Sequence, residues 1–250
     1  MRTLRPRHRE ERRIGLARAL SKQGLCSRAA AAALVSAGRV RLDGQIVRDP
    51  EAPTTPTSRI EVDGEAVAQA TRLYVMLNKP RGLVTTAHDE RGRDTVYQCF
   101  ATSRLPWIAP VGRLDQASEG LLLFTNDSAW SAALLDPARH VTRTYHVQVE
   151  GLPQEATLAR LVSGIPSADG EILCADAVQL LRSGERNAWL AIALTEGRNR
   201  QLRRMLEAVG HPVLRLVRVA IGSLALGELA KGAWRHLSMA EVRALADPGA

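Results

Sequence analysis

The spacing of apolar residues changes character twice along the chain. Ile14, Ala17 and Leu20 to Gly24 follow helical spacing up to a glycine that ends the turn, and Ser27 caps a second, alanine-rich helix over 27–37 that closes at Gly38. Two short extended stretches come next, VRLDGQIV at 40–47 and IEVDGEAV at 60–67, each centred on an Asp-Gly pair of the kind that turns a hairpin. The segment between them, DPEAPTTPTS, holds three prolines and no apolar run, so it is a loop; AQATR at 68–72 has the polarity of a linker.

Beyond residue 72 strand-length apolar runs dominate: YVMLN at 74–78, GLVTT at 82–86, GLLLFT at 120–125, TYHVQVE at 144–150, AWLAIALT at 188–195 and VLRLVRV at 213–219. Helices are expected at 128–135, behind the capping residues Asn126 and Asp127, and at 198–209, ended by Gly210. In the latter, Leu202, Met205, Leu206 and Val209 form a core-facing stripe with Arg203 on its border, while Arg200 and Arg204 project farther round. The gaps between strands are too irregular for a repeating βα barrel or a doubly wound sheet. The expected fold class is α+β, with a mixed, mainly antiparallel sheet in the larger of two domains. The boundaries read as a flexible basic arm at 1–13, a small helical-hairpin and strand domain at 14–70 and a larger domain at 71–250.

Charge narrows the partner. A net charge of +8 favours a polyanion, because fixed cations that neutralise phosphates release counterions. The excess is almost wholly arginine, with lysine only at 22, 79 and 231, and genome composition alone can produce such a bias. Aromatic content of 4% disfavours modules that grip single-stranded RNA on stacked rings. No run approaches the roughly 20 apolar residues of a membrane span, and MRTLRPRHREERR lacks the core of a secretory signal, so a cytoplasmic protein free of the membrane is expected. Cys26, Cys99 and Cys174 are far apart and read as buried thiols. The histidines lack ligand spacing and no phosphate-binding glycine loop occurs, so neither metal, nucleotide nor other cofactor is expected.

The order at 14–47, helix, CSR-led helix, GRV, strand with an Asp-Gly turn, resembles the small RNA-binding domain named after ribosomal protein S4. The resemblance implies that Ser27, Arg28 and Arg39 meet phosphates, with Lys22 and Arg41 nearby. The segment VGRLDQASEGLLLFTND at 111–127 sets one acidic residue between a basic residue and an apolar strand. Alone, Arg113 and Asp115 would read as a structural ion pair. The full string is similar to the catalytic loop of the ribosomal-RNA pseudouridine synthases that carry an S4-type domain, and Asp115 falls on their catalytic aspartate. LNKPRGLVTT at 77–86 is similar to the family's first motif at Lys79, Pro80 and Gly82, and RTYHV at 143–147 resembles the segment that contributes an active-site tyrosine, here Tyr145. EGRNRQLRRMLEAVGHPVLRLVRVAIG at 196–222 resembles the late motif that carries the basic partner of the aspartate, which corresponds here to Arg203. Ser118 stands where many relatives have threonine, which keeps the hydroxyl.

The resemblance implies isomerisation of a uridine in ribosomal RNA, naked or in an assembling subunit, by a monomer. Asp115 would act on a flipped base whose flipped state Arg113 helps hold; Arg203 would orient Asp115, and Tyr145 would lie against the uracil. Lys79, Arg200 and Arg204 join the expected RNA contacts. Two other classes compete: a non-catalytic RNA-binding assembly factor, and a glycosidase, for which Glu119 would be the second carboxylate.

Overall fold

The computed structural model describes residues 13–68, 70–167 and 170–246, so the basic arm expected at 1–13 lies almost entirely outside the described residues. The chain forms two compact units, one reaching Arg72 and including Arg104–Ile108, the other comprising Leu73–Ser103 and the chain from Ala109 onward.

In the first unit, helices Leu16–Lys22 and Arg28–Ser36 bury Leu16, Leu20, Ala31 and Val35 against Val40 and Ile60 of a small sheet. Ser27 starts the second helix as expected, its hydroxyl accepting from the Ala30 N–H at 3.1 Å. The sheet runs Gln45–Val47, Val40–Leu42, Ile60–Val62, Glu65–Ala66, antiparallel throughout. Both expected hairpins are present. Asp43 and Gly44, at φ 51° and 84°, and Asp63 and Gly64, at 53° and 87°, take the left-handed pair of conformations that a two-residue turn between twisted strands demands. The segment 104–108 joins this unit, where Trp107 N–H donates to Gly24 O at 3.0 Å.

The second unit is built on a nine-stranded sheet. Its main path runs Ala177–Ser183, Asn187–Leu194, Arg143–Glu150, Val213–Ile221, Glu119–Thr125, Tyr74–Lys79, Trp234–His236. Neighbours are antiparallel except at one place, where Val213–Ile221 meets Glu119–Thr125 in parallel with Val217 opposite Glu119 and Arg218 opposite Gly120. Gly120 sits at φ 100°, and a Cβ there would lie 2.3 Å from Arg218 O, so only glycine lets the two strands approach this closely. One core packs helices Glu155–Ser163 and Gln201–Ala208 on the Val147, Leu190 and Leu216 side of the sheet. A second gathers Leu121, Leu123, Trp130, Leu134 and Val242, drawing in helices Ser128–Leu135 and Met239–Ala246.

The mixed, mainly antiparallel α+β architecture matches the expectation, and helix Ser128–Leu135 begins where Asp127 was expected to cap it, its carboxylate accepting from Ala129 and Trp130 N–H groups. GLVTT is not a strand. Gly82 turns at φ 100°, only Val84 makes a bridge, to Thr95, and the segment spends its polar groups on the Asp115 loop instead of on a ladder. Strand Ala177–Ser183 leaves no pattern in the sequence because it is an edge strand exposed on both faces and so lacks alternation. Helix Glu155–Ser163 fully buries only Leu161, too sparse an apolar stripe to register. Against the expectation of three buried thiols, Cys26 and Cys99 are half-buried and Cys174 is exposed, Leu173 and Ala175 on either side of it pointing inward. Among the described residues no helix is long and apolar enough to cross a membrane.

Candidate active site

The parallel junction fixes the geography of the site. Just before strand Glu119–Thr125, residues 114–118 form a tight turn in which Ser118 N–H donates to Asp115 O at 2.9 Å. Every carbonyl of this turn is claimed. Thr85 Oγ1 donates to Leu114 O at 2.7 Å and Gly82 N–H to Gln116 O at 2.8 Å. Lys79 Nζ donates to Asp115 O at 3.2 Å and to Ser118 O at 2.8 Å, and Arg203 Nη2 to Ala117 O at 3.3 Å. Five consecutive oriented peptides leave the Asp115 side chain little freedom except to project outward, and it is 40% exposed.

Asp115 forms part of two clefts. One, of about 660 Å³, lies between the two cores and is lined by Arg113, Asp115, Tyr145, Arg203 and Arg218. The other, of about 940 Å³, is lined by Arg81, Arg91, Arg93, Arg113 and Arg200 beside Asp115. The first has the mixed lining of a small-molecule or base pocket; in the second, arginines outnumber the carboxylates of Asp89, Glu90 and Asp115, the balance that suits a phosphate track.

Of the residues singled out in the sequence, Arg113, Asp115, Tyr145, Arg200 and Arg203 come together at this place. The arginine that pairs with the Asp115 carboxylate is Arg200, Nη1 to Oδ2 at 3.9 Å. Helical-wheel geometry points to Arg203, but the helix begins only at Gln201, and Arg200 stands before it at φ 48°, a left-handed conformation that redirects its side chain. Arg203 runs inward beneath the loop, giving its Nη groups to Ala117 O and Val213 O. Burial lowers its pKa, as does repulsion from Arg200, while Asp115 pulls the other way.

Lys79 is a correction. It was expected at RNA, yet it is 0% exposed and donates to the carbonyls of Pro80, Asp115 and Ser118. Desolvation brings its pKa down to about 8 against the pull of Asp115, Cys99 and Glu119. Arg204 turns away to Ser167 Oγ at 2.9 Å and Glu171 at 3.3 Å. In the first unit Lys22, Arg28, Arg39 and Arg41 keep their charged ends within reach of solvent; Arg28 pairs with Glu51 at 2.9 Å, Arg39 with Asp63, and Arg41 donates to Gly44 O.

Glu119 is no second catalytic carboxylate. It is 2% exposed, Arg215 grips both oxygens at 2.8 and 3.1 Å, and Lys231 closes on Oε2 at 2.5 Å. Burial raises its pKa, but these hydrogen bonds outweigh it and hold the carboxyl below its usual value. Sequence reading missed Arg143, which lines the cleft and donates to Thr195 O at 3.1 Å, and Arg218. Arg218 left a signal: it falls in the same alternation phase as buried Leu216, where a charge needs a reason. Among the described residues no cluster of three or more His, Cys, Asp or Glu gathers as for a metal.

Comparison with known proteins identifies the family. Residues 73–208 match the family model described as RNA pseudouridylate synthase, and residues 14–60 match the S4 domain. The ribosomal large subunit pseudouridine synthase B of Bacillus subtilis (strain 168) is 37% identical over 94% of this chain and 97% of its own. The protein of the same name from Escherichia coli (strain K12) is 38% identical over 92% and 81%. A crystal structure of a pseudouridylate synthase superposes with a TM-score of 0.65 at 28% identity, covering 93% of this chain and 99% of that one. The chain therefore belongs to the RNA pseudouridylate synthase family, isomerases of RNA uridine, and carries an S4 domain ahead of the catalytic one.

Proposed function

We propose that this protein converts a uridine of large-subunit ribosomal RNA to pseudouridine, with Asp115 as the catalytic residue. The observation that carries the reading is the Asp115 turn itself: five held carbonyls present one carboxylate at the seam between an arginine-lined cleft and a base-sized pocket. The reaction breaks the C1′–N1 bond, forms C1′–C5 and moves the C5 hydrogen to N1, so atoms balance without oxidant or outside group. A carboxylate suffices to attack the sugar, add to the ring or remove a ribose proton.

The base leaves its stack to enter the 660 Å³ cleft. Arg81, Arg91 and Arg113 then take the flanking phosphates in the neighbouring cleft, while Arg93 is held by both oxygens of Asp89, and Tyr145 lies against the uracil ring. Arg200 orients the carboxylate directly, and Arg203 orients the turn that bears it. Lys22, Arg28, Arg39 and Arg41 of the S4 domain add sequence-independent affinity.

The test is pseudouridine mapping of ribosomal RNA from cells lacking the protein, complemented with wild type or with Asp115→Asn. One large-subunit site should be unmodified without the protein, restored by wild type and not by the variant. An unchanged map would overturn the activity, and restoration by Asp115→Asn would overturn the residue.

A further inference from the structure

Arg218 is used by nothing described so far. It is 4% exposed, its Nε donates to Leu121 O at 2.7 Å, and its buried Nη2 has no hydrogen-bonding partner. A second cation, Arg143, feels its charge: burial lowers the Arg143 pKa most, Tyr145 opposes that, and Arg218 lowers it further. A buried guanidinium with an idle donor beside a second guanidinium is costly unless the site receives an acceptor.

Its position says which acceptor. Strand register sets Arg218 directly opposite Tyr145 on one side and Gly120 on the other, and Arg218 and Tyr145 both line the cleft that holds Asp115. Opposed residues on antiparallel strands project to one face, about 5 Å apart at Cβ. A planar base lying against Tyr145 therefore meets the guanidinium with its edge.

A guanidinium donates and cannot accept. Uracil offers a carbonyl oxygen at C4, whereas cytosine offers an amino group there, which is itself a donor. The isomerisation adds a second requirement. A half-turn of the ring about its N3–C6 axis brings C5 to where N1 was, and the same turn brings O2 to where O4 was. A donor fixed opposite O4 in the substrate thus finds a carbonyl oxygen again in the product. When the C1′–N1 bond breaks with its electron pair on the ring, the negative charge spreads onto these two oxygens, so a buried cation there also holds the detached base.

We propose that Arg218 is the uracil-recognising residue of this pocket, donating from its terminal nitrogens to O4 of the uridine and, after the ring has turned, to O2 of the pseudouridine. This rests on the reading that a uridine is isomerised at Asp115.

The experiment uses the full chain and a synthetic RNA spanning the mapped site, with uridine, 4-thiouridine or 2-thiouridine at the target. Sulfur is a poor acceptor, so wild type should lose roughly 10- to 100-fold in single-turnover rate on 4-thiouridine, the worth of a hydrogen bond to a charged donor, and much less on 2-thiouridine. Arg218→Lys, which keeps the charge but not the fork, should lose a similar factor on uridine and little more on 4-thiouridine. Wild-type-like turnover of uridine by Arg218→Lys, or losses that multiply independently, would overturn the inference. If Arg218→Lys does not fold, the wild-type comparison decides alone: equal effects of the two thio substitutions, or none, overturn it. Failure of wild type to modify the uridine RNA would instead remove the activity on which the inference rests.

Discussion

Asp115→Asn preserves size and most hydrogen-bonding capacity while removing the charge. Turnover should fall at least roughly 10³-fold, a loss of about 4 kcal/mol of transition-state stabilisation, with melting temperature and RNA affinity near wild type. The two flanking arginines should separate in a paired measurement of stability and rate. Arg203→Met removes the side-chain donor to Ala117 O and to Val213 O, so it should lower stability by about 1–3 kcal/mol and slow turnover together. Arg200→Met removes an exposed ion pair and should slow turnover with no measurable loss of stability. If the two variants behave alike in melting, the division of roles is wrong. At this scale the sequence is legible where a motif names a residue and misleading where conformation has to be guessed. Nothing in NRQLRR announces that Arg200 sits at φ 48° ahead of the helix, and nothing in LNKP announces that the lysine is folded under its own loop with 0% exposure.

The Asp115 turn is an element held from below, and its support titrates. Lys79 has a folded-state pKa of about 8 against an ordinary 10.5. Below pH 8 it is charged both folded and unfolded, and the full penalty of burying the charge applies. As pH rises from about 8 toward 10.5 the folded protein gives up the proton first, so this group's contribution to stability increases with pH. The stability of wild type relative to Lys79→Met should therefore improve across that window in denaturant titrations, while wild-type turnover declines above pH 8 as the neutral amine holds fewer carbonyls. A flat difference would deny the titration. Gly120→Ala tests the junction: a Cβ 2.3 Å from Arg218 O forces the parallel strands apart, costing about 1–3 kcal/mol and depressing turnover more than the melting shift explains. Elements with alternation or a cap, such as Arg28–Ser36 and Ser128–Leu135, can be read from the sequence to within a residue. GLVTT cannot, because its apolar run looks like a strand while its partners come from a turn thirty residues on.

For the whole molecule, binding should be dominated by phosphate contacts. Replacing Lys22, Arg28, Arg39 and Arg41 together with glutamine should weaken RNA binding and flatten log affinity against log salt by up to roughly 0.7–0.9 for each phosphate left without its cation, while turnover of saturated RNA stays unchanged. A slope equal to wild type would free these residues of that role. The sequence offers a linker-like stretch near 70 but no sign that Arg104–Ile108 belongs with the first unit, since a five-residue return leaves no periodic trace. The parallel contact of Glu119 with Val217 also bears on when the protein becomes an enzyme. The two strands are roughly a hundred residues apart in the chain, and closing so long a loop is slow and comes after local hairpins have formed. The S4 hairpins pair within a few residues of their own turns, whereas the pocket waits for a strand the ribosome makes more than a hundred residues later, so during synthesis the site for chemistry is closed late.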